Sequence, residues 1–72
     1  MKRFIIMATG KKEVYGYSKV MCNFISFRPG RLNISECSIF VENEVDKKVN
    51  ALMTFWNNVP NSGYSDIKKI EI

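Results

Sequence analysis

Residues 43–60 read NEVDKKVNALMTFWNNVP, and this stretch decides the fold because it is the one segment whose apolar spacing matches a helix. Its apolar residues form a single stripe: Val45, Val49, Leu52, Met53 and Trp56. Asn43 is the predicted N-cap, and Glu44 and Asp46 suit the positive end of the helix dipole. Pro60 ends the helix because it cannot continue the hydrogen-bond ladder.

The rest of the chain is predicted to form strands and turns. Residues that favour strands dominate four segments: Arg3–Ala8, Glu13–Phe27, Leu32–Val41 and Asp66–Ile72. Turns are predicted at Thr9–Lys12 and at Arg28–Arg31, where proline presets one backbone angle and glycine permits the reversal. The order β-β-β-α-β predicts a small α+β domain, an antiparallel sheet with one amphipathic helix packed on one face.

The Arg28–Arg31 turn also predicts a register for the second and third strands. If Arg28 lies opposite Arg31, Phe27 pairs with Leu32 and Cys22 pairs with Cys37. Both faces of this sheet are then largely apolar, and one helix covers only one of them. We therefore expect the second face to bind another copy of the chain, as a homodimer, or a target.

Length and charge limit the kinds of function that the chain can have. The 72 residues form one domain, 1–72, with a small core. Residues 1–31 carry seven basic side chains and one acidic, a net charge of +6. Residues 32–72 carry four basic and six acidic side chains, a net charge of −2. This separation predicts an electrostatic docking surface for an acidic or nucleic-acid-binding partner surface.

Several classes of function are disfavoured by the residues that the chain lacks. It has no histidine to act as a general base and only two cysteines, so we expect no enzyme, no metal site and no cofactor. The apolar run Phe4–Ala8 is too short for a leader or a membrane span, which predicts a cytoplasmic protein without membrane contact. In that compartment Cys22 and Cys37 stay reduced, and their apolar neighbours predict two buried thiols.

One motif points to nucleic acid. Residues 14–20, VYGYSKV, resemble the aromatic strand on which RNA-recognition and cold-shock domains stack bases, although Glu13-Val14 stands where those domains have Lys-Gly. The resemblance implies that Tyr15 and Tyr17 stack bases of RNA or single-stranded DNA. Neighbouring cations would hold the phosphates: Lys11, Lys12 and Lys19. The alternative is that both tyrosines pack on the core or on a dimer partner.

Four further residues are candidate partner contacts. Arg28 and Arg31 flank the tightest turn and suit phosphates or an acidic patch, or else are simply solvated. Phe55 lies at the edge of the helix stripe, and Tyr64 lies in the long loop between Asn57 and Ser65.

In general character the chain resembles the small proteins with which phages inhibit host enzymes or defences. Its bias toward Lys, Asn, Ile and Tyr is typical of AT-rich phages and mobile elements. This predicts a non-catalytic binding protein that inhibits or modulates a host protein sterically. The alternatives are an RNA- or single-stranded-DNA-binding protein, and a toxin–antitoxin or transcriptional accessory subunit.

Overall fold

A computed structural model describes all residues, 1–72, and confirms a small α+β fold. In chain order its elements are β1 (Arg3–Thr9), β2 (Val14–Ser18), β3 (Asn23–Phe27), a 3-10 turn (Ile34–Glu36), β4 (Phe40–Val41), α1 (Glu42–Asn57) and β5 (Ser65–Glu71). The predicted first strand, helix and last strand are therefore confirmed to within a few residues.

β1 is the central strand of a five-stranded sheet whose pairs are all antiparallel. β5 runs along one edge of β1, with Ile5 opposite Ile70. β2 and β4 share the other edge, since β2 pairs with residues 7–9 and β4 with residues 3–4. β3 lies outside β2.

α1 covers one face of this sheet, and the core lies between them. Phe4, Ile6 and Ala8 alternate along β1 and all point to this side, as the period of two of a strand requires. The remaining core residues come from every other element except the 3-10 turn: Tyr17, Phe24, Phe40, Val45, Leu52 and Ile67. Val45 is fully buried, whereas Met53, which the stripe predicted as core, is 39% exposed.

The predicted long strand Glu13–Phe27 is wrong, because the chain reverses at residues 19–22. The Cys22 amide donates to the Lys19 carbonyl, the Ser18 hydroxyl accepts from the Met21 amide, and Cys22 has a positive φ of 52°. Two short strands result, with Tyr17 opposite Phe24. Both aromatic rings are thereby buried, at the cost of an exposed valine and methionine in the turn.

The predicted third strand and its register are also wrong. The Arg28–Arg31 turn exists, with the Arg31 amide donating to the Arg28 carbonyl at 2.9 Å. The chain then forms a loop instead of a strand, and this loop crosses the second sheet face, where Leu32 and Cys37 pack against Gly16. Part of that face is thus covered by the chain itself, which weakens this ground for expecting a homodimer.

The helix begins two residues earlier than predicted. Val41 occupies the N-cap position and Asn43 lies inside the first turn, so no side chain caps the helix. At the other end Asn58 is the C-cap, and its side-chain amide donates to the Thr54 carbonyl at 2.8 Å. No helix in the structure has the length and apolar character needed to cross a membrane.

Candidate binding surface

An aromatic cluster packs the C-terminal end of α1 against the sheet. Tyr64 is its centre, with ring centroids 4.7 Å from Tyr15, 4.8 Å from Phe24 and 4.6 Å from Trp56. The pairs with Tyr15 and Trp56 are edge-to-face, and such pairs contribute about 0.5–1.5 kcal/mol each beyond their burial. Tyr64, predicted as a partner contact in a recognition loop, is therefore half-buried and structural.

Tyr15 and Tyr17 share a strand face, as predicted, but that face is the one covered by α1. Tyr17 is only 5% exposed, and its ring packs against Phe24 and Phe40. Tyr15 is half-buried beneath Tyr64. The pair consequently forms no open platform for stacking bases, because other aromatic rings of the protein already pack against both tyrosines.

Two lysines cap aromatic rings at the opposite end of the sheet. The Lys19 ammonium lies 4.5 Å from the centroid of the Phe40 ring, and the Lys48 ammonium lies 4.9 Å from that of Tyr17. A cation over a ring face is attracted by the ring quadrupole, by about 0.5–1 kcal/mol at exposed sites. These contacts hold both charges near the surface of the core.

The two lysines border a cavity of about 490 Å³, which we name the lysine pocket. It lies between the β2–β3 turn, β4 and the first half of α1. Its lining residues are Tyr17, Lys19, Cys22, Phe40, Glu44, Lys47, Lys48 and Ala51. Three ammonium groups and a single carboxylate above two aromatic rings suit an anionic group that carries an apolar part.

Phe55 is the largest apolar side chain that the helix exposes, with 59% of its surface accessible. Its ring stands edge-on to Trp56, with centroids 4.8 Å apart, and Trp56 is in turn anchored on Tyr64. Phe55 and Ala51 line a second cavity, which therefore shares Ala51 with the lysine pocket. The predicted interface role of Phe55 stays a prediction, and its exposure agrees with it.

Most of the basic side chains are not neutralised within the molecule. Two ion pairs are present: Lys68 to Asp66 at 3.2 Å and Lys69 to Asp46 at 2.7 Å. Since the chain has eleven lysines and arginines, nine have no acidic side chain within ion-pair distance. The free cations include every lysine of the lysine pocket.

The remaining predicted basic contacts lie away from the lysine pocket. Lys11 and Lys12 are exposed in the β1–β2 turn, at the end of the sheet next to the loop before β5. Arg28 and Arg31 are exposed in the turn after β3, whose last residue pairs with the start of β2. The structure therefore separates the predicted contacts into two groups at opposite ends, with Lys19 at one and these four at the other.

The two cysteines do not lie opposite one another in the sheet, in contrast to the pairing that the sequence predicted. Cys22 is exposed in the β2–β3 turn, and its thiol donates to the Lys19 carbonyl at 3.3 Å. Cys37 is buried on the second sheet face, where burial and, to a smaller degree, Glu36 raise the pKa of its thiol. The expectation of two buried thiols thus holds for Cys37 alone. No cysteines and carboxylates cluster in a way that could hold a metal ion.

Sequence reasoning missed Lys47, Lys48 and Ala51, none of which belongs to the predicted apolar stripe. Part of the site could have been found from spacing alone. Lys48 and Phe55 are seven residues apart, so they lie on nearly the same side of a helix with 3.6 residues per turn. The contact between Lys48 and Tyr17 has no such signal, because it depends on how α1 lies across the sheet.

Comparison with known proteins identified no relative of this chain. No protein-family model matches the chain, and searches of curated proteins and of solved structures found no match either.

Proposed function

We propose that this protein is a small, non-catalytic binding protein that inhibits or modulates a partner protein by covering an acidic surface of that partner. The observation that carries the proposal is the exposed Phe55 beside a pocket of unpaired lysines. Aromatic side chains are enriched at interface centres, and cations around them attract an acidic partner and speed its association. A composition typical of AT-rich phages and mobile elements favours a partner from the host cell.

The contact surface of this proposal consists of Lys19, Lys47, Lys48, Ala51 and Phe55. Its lysines steer an acidic partner into contact, and Phe55 supplies the apolar burial that gives affinity. Inhibition follows if the partner needs the covered surface for its own substrate or ligand. Direct binding of nucleic acid is less well supported, because Tyr17 is buried and Tyr15 is half-buried.

The test is affinity capture from host lysate, followed by reconstitution with the purified captured protein. The bait is the full chain, and the variant is Lys19→Glu with Lys48→Glu. Lys11→Glu with Lys12→Glu is the matched control, because it changes the charge equally at two lysines that lie outside the lysine pocket. A stoichiometric complex that resists nuclease, survives in the control and is lost in the variant supports the proposal.

Two other results would contradict it. Recovery of RNA or DNA that nuclease or moderate salt removes favours the nucleic-acid alternative. A complex that the control abolishes and the variant retains moves the contact to the opposite end of the sheet. Arg28→Glu with Arg31→Glu, as a third bait, tests the sequence-based expectation that the turn is the contact. Circular dichroism of every bait verifies that it is folded.

A further inference from the structure

The lysine pocket and the Phe55 side chain form one continuous binding surface. Ala51 lines both cavities, so the two cavities adjoin at this residue. Lys48 and Phe55 are seven residues apart on the same side of α1, which corresponds to about 10 Å along the helix axis at 1.5 Å per residue. A bound segment that reaches both ends must therefore span about that distance.

The lysine end suits a carboxylate better than a base. The rings of Tyr17 and Phe40 are each covered by an ammonium group, at 4.9 Å and 4.5 Å, so neither ring face is free for stacking. The ammonium groups of Lys19 and Lys48 retain donors that no acidic side chain of this protein occupies. Hydrogen bonds between an ammonium and a carboxylate are about twice as strong as neutral ones.

The Phe55 end is apolar and is held in place before binding. Trp56 supports the Phe55 ring edge-on, and Tyr64 supports Trp56, so few rotamers are lost when a partner side chain packs there. Preorganisation of this kind raises affinity because less conformational entropy is lost on binding. The complementary group is an aliphatic or aromatic side chain.

From this geometry, and resting on the proposed function, we propose that the surface recognises an extended acidic segment of the partner protein. An acidic side chain enters the lysine pocket, and an apolar side chain three residues along packs on Phe55. This spacing requires the segment to bind in the polyproline II conformation, because three residues per turn place residues i and i+3 on the same side, and three residues span about 9 Å at about 3.1 Å per residue. The partner motif is thus acidic–x–x–apolar.

Two synthetic peptides of identical composition test the motif by nuclear magnetic resonance titration of the ¹⁵N-labelled full chain. The first has two glutamates, two serines and then a tryptophan, and in the second the tryptophan directly follows the glutamates. We expect saturable shifts at Lys19, Lys48, Ala51 and Phe55, with the spaced peptide binding about tenfold more tightly. Lys19→Glu with Lys48→Glu should abolish these shifts, and Lys11→Glu with Lys12→Glu should leave them.

Equal binding of the two peptides, shifts centred on Lys11 and Lys12, or no shifts at millimolar peptide would each overturn the proposed motif. The Phe55→Ala variant separates the two ends, because it should remove the difference between the peptides while weak binding at the lysines remains. Failure of the motif is distinguishable from failure of the proposed function. If the peptides bind alike but capture of the intact partner still depends on Lys19 and Lys48, only the motif is wrong.

Discussion

Gly16 in β2 lies directly beneath Cys37, so closely that a Cβ atom at position 16 would overlap the Cys37 Sγ atom. The other neighbours of that position are Leu32 Cδ1 at 3.3 Å and Phe27 Cε2 at 3.4 Å. The absence of a side chain at Gly16 therefore lets the loop after β3 lie flat on the second sheet face. The Ser38 amide secures the end of this loop by donating to the Tyr17 carbonyl at 3.0 Å.

Gly16→Ala is expected to destabilise the protein by about 1–3 kcal/mol, because an extra methyl group in a packed site forces its neighbours apart. Urea unfolding followed by circular dichroism measures the change. The double variant Gly16→Ala with Cys37→Ala is the control, since removing the sulfur makes room for the methyl group. Strictly additive effects of the two substitutions would contradict the contact between these residues.

The two cysteines should differ in reactivity toward a thiol reagent. Cys22 is exposed and Cys37 is 6% exposed with a raised pKa, so one thiol should react rapidly in the native state and the other only on unfolding. Cys22→Ser should remove the rapid phase. Equal rates for both thiols would mean that the loop over Gly16 is not packed.

Tyr15 should ionise at unusually high pH. Its hydroxyl donates a 2.6 Å hydrogen bond to the Glu13 carboxylate, which, together with partial burial and the Glu13 charge, raises the pKa of Tyr15 to about 12. Glu13→Gln should lower that pKa toward the usual value near 10. The ¹³Cζ chemical shift of Tyr15 during an alkaline titration reports it directly.

The same shift predicts how stability depends on alkaline pH. Because the pKa of Tyr15 is higher in the folded than in the unfolded state, the folded state binds more protons between pH 10 and about 12. The contribution of Tyr15 is thus fully present below pH 10 and is lost as pH rises through this range. Lysines titrate in the same range, so the free energy of unfolding is measured against pH for both Glu13→Gln and the wild type, and the difference gives the contribution of Tyr15. If the two proteins lose stability with pH at the same rate, the hydrogen bond between Tyr15 and Glu13 is contradicted.

Phe55 and Trp56 are neighbours in the chain with opposite expected roles. Phe55→Ala should change stability by no more than about 0.5 kcal/mol, as for other exposed positions, while weakening partner binding. Trp56→Ala should destabilise the protein by about 2 kcal/mol or more, because it removes the support between α1 and Tyr64. Urea unfolding of both variants checks the contrast, and a large loss for Phe55→Ala would place Phe55 in the core.

The candidate site was only partly predictable. The exposure of Phe55 follows from its position at the edge of the helix stripe, and Lys19 was recognised as a basic contact. The lysine pocket was not predictable, because Lys19 and Lys48 are 29 residues apart and meet only through the rings of Phe40 and Tyr17. Charge counted along the chain also concealed the pocket, since Lys48 belongs to the half with a net negative charge.

The sequence by itself determined the α+β class, the first and last strands to within one residue at each end, the single helix and the Arg28–Arg31 turn. These features depend on local periodicity and on proline and glycine, whose effects act within a few residues. Only the tertiary structure decided the reversal at residues 19–22 and the loop over Gly16. Both depend on which apolar faces can be buried together: pairing Tyr17 with Phe24 and seating Cys37 on Gly16 outweighed the local preference for longer strands.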